Sequence, residues 1–110
     1  MKRIIIAALV GVLLVVPGVR AANNFQTIAD FVSGCEKEPY NKIYCTGVLR
    51  GVASMMTLFD KTCMPETGAR AVSNAQLRQV FLNWAKANPK KWHERGEWGM
   101  VLAFTQTWPC

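Results

Sequence analysis

The amino-acid sequence predicts an all-α fold, a small disulfide-stapled bundle of about four helices. In several segments, apolar residues recur at the three-to-four spacing of an amphipathic helix. No segment alternates apolar and polar residues as a half-exposed strand does. The chain of 110 residues contains four cysteines, and an even number in a small exported protein is typical of paired disulfides.

The N-terminal segment has the features of a secretory signal peptide. Met1-Lys2-Arg3 is positively charged, residues 4–16 form an apolar run, and Pro17-Gly18 interrupts the pattern before Ala21. The apolar run is shorter than the ~20 residues that span a bilayer, which favours export with cleavage over a membrane anchor. We therefore expect a signal peptide at residues 1–21 and a single domain at residues 22–110.

The charge of the exported part excludes some classes of partner. Lys2, Arg3 and Arg20 leave with the leader, so ten basic residues face seven acidic ones and the net charge is about +3. This is too little for a typical nucleic-acid-binding surface. It suits an acidic protein partner or the anionic cell envelope.

The first two predicted helices precede Asp60. The first covers residues 25–32 and ends near Ser33-Gly34, because glycine commonly terminates a helix. The second, residues 44–59, is the longest and follows a polar connection at residues 35–42. Its predicted apolar stripe consists of Tyr44, Val48, Val52, Met55 and Phe59.

Gly47 and Gly51 lie one turn apart beside that stripe. Each costs roughly 1 kcal/mol relative to alanine in a helix interior, so the pair calls for an explanation. One is that another helix of the same domain packs unusually close there, which we favour. The other is that the two glycines form a flat face for a second copy of the protein.

The last two helices are separated by a turn. Ser73 and Gln76 have the spacing of a capping box, and Asn88-Pro89 ends the helix that follows. The last helix is expected at residues 94–107, weakened locally by two glycines. The predicted apolar faces are Leu77, Val80, Phe81, Trp84 and Ala85 in the third helix and Trp98, Val101, Leu102, Thr105 and Trp108 in the fourth.

The helix order constrains the disulfides. Short connections make successive helices antiparallel, so the second and fourth run in the same direction. Cys63 and Cys110 then lie together beyond two C-terminal ends, whereas Cys45 lies about 27 Å away at the other end. Because bridged Cα atoms come within roughly 7 Å, the predicted pairs are Cys35–Cys45 and Cys63–Cys110.

The inventory of reactive side chains gives no support for catalysis. His93 is the single histidine and lies in a basic turn, where a solvated loop residue is expected. Bridged cysteines cannot act as nucleophiles, and no metal or cofactor is expected because the cysteines form no CxxC pair. Trp92 of the same turn is either an exposed anchor for a protein partner or a cover over the helix ends.

Several motifs together resemble the Rap/Tai family of periplasmic immunity proteins. They follow the leader in this order: Tyr44-Cys45-x-Gly47-x-x-x-Gly51, Cys63-x-Pro65, Leu77-x-x-Val80 leading to Asn88-Pro89, and the terminal Trp108-Pro109-Cys110. The chain departs from the usual pattern at Asn88, which stands where the family commonly has histidine. Gly96, Trp98 and Gly99 also replace an expected alanine-rich run.

The resemblance implies a non-enzymatic, all-helical periplasmic inhibitor, often dimeric. Such proteins protect bacteria that use type VI secretion from toxins, notably peptidoglycan amidases, by binding the amidase and blocking its substrate groove. The alternatives are a small periplasmic acid-stress chaperone of the HdeA type and an envelope interaction protein with no toxin partner. Candidate partner-binding residues lie on the two polar connections: Asp60, Lys61, Glu66 and Arg70 on one, and Lys90, Lys91, Trp92, His93 and Arg95 on the other.

Overall fold

The computed structural model describes residues 26–37 and 39–110, and the expected signal peptide lies outside them. These residues form four α-helices: α1 (Ile28–Glu36), α2 (Pro39–Leu58), α3 (Asn74–Ala87) and α4 (Gly96–Thr107), with 3-10 turns at Gly68–Arg70 and Pro89–Lys91. The all-α prediction is confirmed for this part of the chain, whose β pairing is limited to an isolated bridge between Thr27 and Arg95. None of the helices within the described ranges is long and apolar enough to cross a membrane.

Helix α1 starts at a capping box. The Asp30 N–H donates to Thr27 Oγ1 (3.2 Å), and the Thr27 N–H donates back to Asp30 Oδ2 (3.0 Å). The predicted end near Ser33-Gly34 is wrong, because the helix continues to Glu36 and Gly34 is buried inside it. The added turn contains Cys35, which is bonded to Cys45 of α2.

Helix α2 begins five residues earlier than predicted, at Pro39, whose fixed φ suits a first helical turn. Its predicted apolar stripe is wrong, because Tyr44, Met55 and Phe59 are 44%, 53% and 61% exposed. The face that enters the core is rotated from that stripe and consists of Cys45, Leu49, Ala53 and Met56. Two stripes of this helix satisfy the three-to-four spacing, and of the predicted one only Val48 and Val52 pack against the core.

The close approach expected at Gly47 and Gly51 inside the domain is also wrong. A Cβ on either residue would meet no atom within 4 Å. The close approach occurs in α4 instead, where a Cβ on Gly96 would overlap the Phe31 ring. A Cβ on Gly99 would lie 2.8 Å from Ile28 Cγ1. The glycines of α4, which we expected only to weaken the helix, therefore let α1 pack closely against it.

Helix α3 follows the prediction closely. Ser73 Oγ accepts from the Gln76 N–H (3.1 Å), and the Ser73 N–H donates to Gln76 Oε1 (2.7 Å), which completes the predicted capping box. The helix ends at Ala87, before Asn88-Pro89. Its predicted apolar residues enter the core fully, except Val80, which is partly buried.

Helix α4 starts at Gly96, two residues later than predicted, and presents a different face to the core. Met100, Ala103 and Phe104 are fully buried. Trp98, predicted to be a core residue, is 51% exposed, whereas Trp84 is buried and Trp108 packs against the core. The two glycines turn their side of α4 towards α1, and this rotates Trp98 outward.

The predicted disulfide pairing is confirmed. Cys35 is bonded to Cys45 and Cys63 to Cys110. The Cys63 N–H also donates to the Trp108 carbonyl (3.0 Å), so the C-terminal ends of α2 and α4 lie together. Two hydrogen bonds show that α2 and α3 are antiparallel: Arg50 Nε donates to Asn74 Oδ1 (2.8 Å), and the Arg78 guanidinium donates to Thr46 Oγ1 (3.4 Å).

Candidate interaction surfaces

The two connections that carry the candidate partner-binding residues lie at opposite ends of α3. The long loop, residues 59–73, leads into the helix, and the basic turn, residues 88–95, follows it. The 14 residues of α3 span about 21 Å at 1.5 Å per residue. The structure therefore groups the nine candidates into two separate surfaces and does not bring them into one site.

The long loop is held in place at both of its ends. The Cys63–Cys110 disulfide fixes one end, where Thr62 is buried and its Oγ1 lies 3.2 Å from Thr57 Oγ1. At the other end the Arg50 guanidinium donates to the Val72 carbonyl (2.9 Å). Between these anchors the four candidates are exposed: Asp60, Lys61, Glu66 and Arg70.

The basic turn is held against the start of α1. The Ile28 N–H donates to the Glu94 carbonyl (2.9 Å), and the Ala29 N–H donates to the Trp92 carbonyl (3.0 Å). The Gly96 N–H donates in turn to the Gln26 carbonyl (2.9 Å). Since the backbone is fixed on both sides, four candidate side chains project from a rigid support, and they are exposed: Lys90, Lys91, His93 and Arg95.

Trp92 differs from its neighbours in the basic turn. Its indole Nε1–H donates to the Ala85 carbonyl (2.6 Å), and the ring is partly buried against the core. Of the two interpretations of this residue, the structure supports the one in which it covers the helix ends. The ring is therefore less exposed than a free anchor would be, and its part in binding a partner stays a prediction.

A cleft of about 320 Å³ opens beside the basic turn, lined by Gln26, Thr27, His93, Arg95 and Glu97. Arg95 Nε lies 3.5 Å from Glu97 Oε2, and both side chains are substantially exposed. Such a surface ion pair contributes little to stability, so Arg95 can exchange Glu97 for a carboxylate of a partner. The cleft thus offers cationic and hydrogen-bonding groups to a polar segment.

One carboxylate near the cleft has a perturbed pKa. The backbone N–H groups of Thr27 and then Gln26 donate to Asp30 and hold the pKa of its carboxyl below the ordinary value of 3.8. Asp30 is thereby committed to capping α1. Glu94 Oε2 is buried without a hydrogen-bond partner, while the backbone of the same residue supports α1.

A third surface is the outer side of α2, which includes Tyr44 and Met55 of the predicted apolar stripe and the two glycines beside it. Around the two open glycines lie large side chains that are well exposed: Ile43 is 69%, Met55 53% and Leu58 72% exposed. We call this surface the α2 outer face and define it as Ile43, Tyr44, Gly47, Gly51, Ser54, Met55 and Leu58. On a helical wheel these residues lie opposite Leu49, so the surface can be recognised once Leu49 is known to be in the core.

The described residues provide surfaces for binding and few groups for chemistry. Their cysteines are bonded in pairs, and among them no three histidine, cysteine, aspartate or glutamate side chains lie together as metal ligands would. The fold and these surfaces define a class of protein, a small, disulfide-stapled helical domain that presents rigid polar connections.

The particular family within this class follows from comparison with known proteins. The family model for Rap1a immunity proteins matches residues 27–110, which include all four helices and both connections. The chain therefore belongs to the Rap1a immunity protein family. No curated protein and no solved structure matches it.

Proposed function

We propose that the protein is exported to the periplasm, with cleavage after Ala21, and there binds and blocks a peptidoglycan amidase delivered by type VI secretion. The observation that carries this proposal is the match to Rap1a immunity proteins over residues 27–110. The motifs shared with the Rap/Tai family support the amidase as target. The same match favours immunity over an acid-stress chaperone or an envelope protein without a toxin partner.

The arrangement of the candidate residues suits inhibition of an enzyme. Both connections are fixed by backbone hydrogen bonds, and the long loop also by a disulfide. A segment that is ordered before binding loses little conformational freedom when it enters a substrate groove, which favours affinity. Exposed charges of both signs on the long loop, such as Lys61 and Glu66, can then match the charges of one enzyme and reject another.

The substrate groove of one amidase engages only one end of the bundle, because α3 separates the two connections by about 21 Å. Two sets of charge reversals distinguish the ends. One set is Lys61→Glu with Arg70→Glu in the long loop, and the other is Lys91→Glu with Arg95→Glu in the basic turn. All four side chains are exposed, so the variants are expected to fold.

The experiment is a titration of the purified exported domain with a panel of purified type VI amidase effectors, followed by calorimetry and by chromatography of digested peptidoglycan. We expect one amidase to bind and lose its activity at a one-to-one ratio. One set of reversals should raise Kd at least tenfold, and the other should leave Kd unchanged. Lys42→Glu, an exposed change on α2, is the control. If no amidase is bound or inhibited, the proposal is wrong.

A further inference from the structure

The cleft beside the basic turn has the size of a small-ligand site. Its volume is about 320 Å³, at the lower end of the roughly 300–1,000 Å³ that is typical of ligand-binding pockets. The described residues that line it all carry polar side chains: Gln26, Thr27, His93, Arg95 and Glu97. A cleft of this size and lining suits a small ligand with many hydrogen-bonding groups.

A hydrogen-bond donor and an acceptor stand side by side in the cleft. Arg95 Nε lies 3.5 Å from Glu97 Oε2, so the two charges neutralise each other. The guanidinium only donates hydrogen bonds, and the carboxylate only accepts them. Two neighbouring hydroxyl groups of a sugar ring lie about as close together, and a hydroxyl both donates and accepts. One hydroxyl can therefore accept from Arg95 while the next donates to Glu97.

The remaining walls of the cleft are fixed at the backbone and open at the side chain. The Gln26 N–H donates to Asp30 Oδ2 (3.1 Å), and its carbonyl accepts from the Gly96 N–H (2.9 Å). Among the described residues, the side chains of Gln26 and His93 take part in no hydrogen bond. Both can bond to a ligand, and a wall that is already ordered loses little freedom on binding.

An exposed aromatic ring lies next to the cleft. Trp98 follows Glu97 directly and is 51% exposed, and in the described part of the chain its ring does not join the core. Side chains of a helix lean towards its N-terminus, and this is the end of α4 at which Arg95 forms the N-cap. A flat indole offers the large apolar surface on which the C–H groups of a sugar ring pack.

We propose that this cleft binds a pyranose ring of an uncharged glycan chain. Trp98 packs on the apolar face of that ring or of the adjoining one, while Arg95 and Glu97 bond to its hydroxyl groups. A sugar ring combines an apolar face with a polar edge, so it uses both features of the site. A carboxylate-bearing peptide would engage Arg95 and leave Trp98 without a part. The site does not depend on inhibition of an amidase, so either proposal can fail without the other.

The first test is a titration of the ¹⁵N-labelled exported domain with two soluble probes, followed by nuclear magnetic resonance. The probes are tetramers of β-1,4-linked N-acetylglucosamine and of β-1,4-linked glucose. We expect at least one of them to give saturable shifts of the backbone amides of Gln26 and of residues 93–98, with a Kd of about 1 mM or lower. The absence of saturable shifts with both probes up to about 10 mM overturns the proposal.

Substitution of Trp98 tests the aromatic part of the site. Trp98→Ala should raise the Kd of the bound tetramer at least about tenfold, whereas Trp98→Phe keeps a ring and should raise it less than about threefold. Phe59→Ala is the matched control, because it removes a ring that is 61% exposed beyond the end of α2, and Kd should not change. Circular dichroism should show that all three variants fold. A Kd that Trp98→Ala leaves unchanged overturns the proposal.

Substitution of Glu97 tests the hydrogen bonds. Glu97→Ala removes the acceptor and should raise Kd about tenfold, whereas Glu97→Gln keeps an acceptor oxygen and should raise it about threefold. Glu66→Ala, an exposed change on the long loop, is the control and should have no effect. A peptide of four glutamates is the competing probe. If this peptide shifts the amides of residues 93–98 and neither sugar does, the cleft takes an acidic segment and the glycan is ruled out as its ligand.

Discussion

At the scale of single residues, glycines have opposite environments in two helices of this protein. Gly96 and Gly99 of α4 lie against Phe31 and Ile28 of α1, where a Cβ has no room. Gly47 of α2 faces open space. Identical residues thus serve close packing in one helix and leave an exposed strip in the other, and substitution by alanine distinguishes the two cases.

Gly96→Ala is expected to destabilise the protein by about 1–3 kcal/mol, because the added methyl group forces the buried Phe31 ring to move. Gly47→Ala is the matched control. Measured on dilute monomer, it should leave the free energy of unfolding unchanged or raise it by roughly 1 kcal/mol. Urea denaturation measures both. Equal effects of the two substitutions would contradict the packing of α1 on α4.

Asp30 predicts a pH dependence of stability. Its pKa is lowered in the folded protein by backbone hydrogen bonds. Its carboxylate therefore contributes stability that is fully present above the ordinary pKa of 3.8 and is lost as the pH falls through the lower folded pKa. The Tm difference between the unmodified protein and Asp30→Asn should thus be constant near neutral pH and shrink below about pH 4. A difference that grows on acidification would contradict this role.

At the scale of the elements, the sequence predicts a helix boundary well when the contacts that determine it are local. It predicts poorly which face of a helix is buried, because that depends on distant residues. The capping box of Ser73 and Gln76 and the stop at Asn88-Pro89 depend on residues within one turn, so the sequence alone predicts α3. The faces of α2 and α4 depend on what packs against them. In α2 the spacing of Tyr44, Met55 and Phe59 was as regular as that of the core residues, and only the arrangement of the other helices decides between them.

The sequence also predicted only part of the candidate site. The charged residues of the long loop and the basic turn are exposed, as polar connections generally are. The sequence left two interpretations of Trp92 open, because the hydrogen bond that distinguishes them joins its indole to Ala85 across the end of α3. For the same reason the sequence assigned Tyr44 and Met55 to the side of α2 that packs inside the domain, whereas both are exposed on the α2 outer face.

Trp92→Phe is expected to destabilise the protein by about 1 kcal/mol through loss of the indole hydrogen bond to the Ala85 carbonyl. Trp98→Phe is the matched control, since Trp98 is 51% exposed. Its effect should stay within about 0.5 kcal/mol. Thermal unfolding measures both. If Trp92→Phe instead weakens binding of the effector without changing Tm, Trp92 is a contact residue after all.

At the scale of the whole molecule, two disulfides connect the elements that support the candidate binding surfaces. The Cys35–Cys45 bond joins α1 to α2 over 10 residues, and the Cys63–Cys110 bond joins the long loop to the C-terminus over 47 residues. The predicted pairing succeeded because antiparallel helices and a maximum Cα distance left one arrangement. The sequence thus predicted the order and direction of the helices, although it did not predict which faces of α2 and α4 are buried.

The disulfides predict unequal losses of stability. In the chain-entropy model, removing the bond across 47 residues costs about 4 kcal/mol and removing the bond across 10 residues about 2.7 kcal/mol. Replacement of each pair by alanine, followed by urea denaturation, measures the two losses. A larger loss for the pair at Cys35 and Cys45, which are buried, would show that core packing outweighs loop closure.

We propose that this member of the Rap1a immunity protein family protects the periplasm from an amidase. The most direct test uses an amidase that binds the protein in vitro. This amidase is exported into the periplasm of a sensitive bacterium, and survival of the cells is measured. Co-expression of the full chain should prevent lysis, and the same chain without residues 2–21 should not, because it stays on the wrong side of the membrane. Lysis at an unchanged rate in cells that export the full chain would contradict the proposed function.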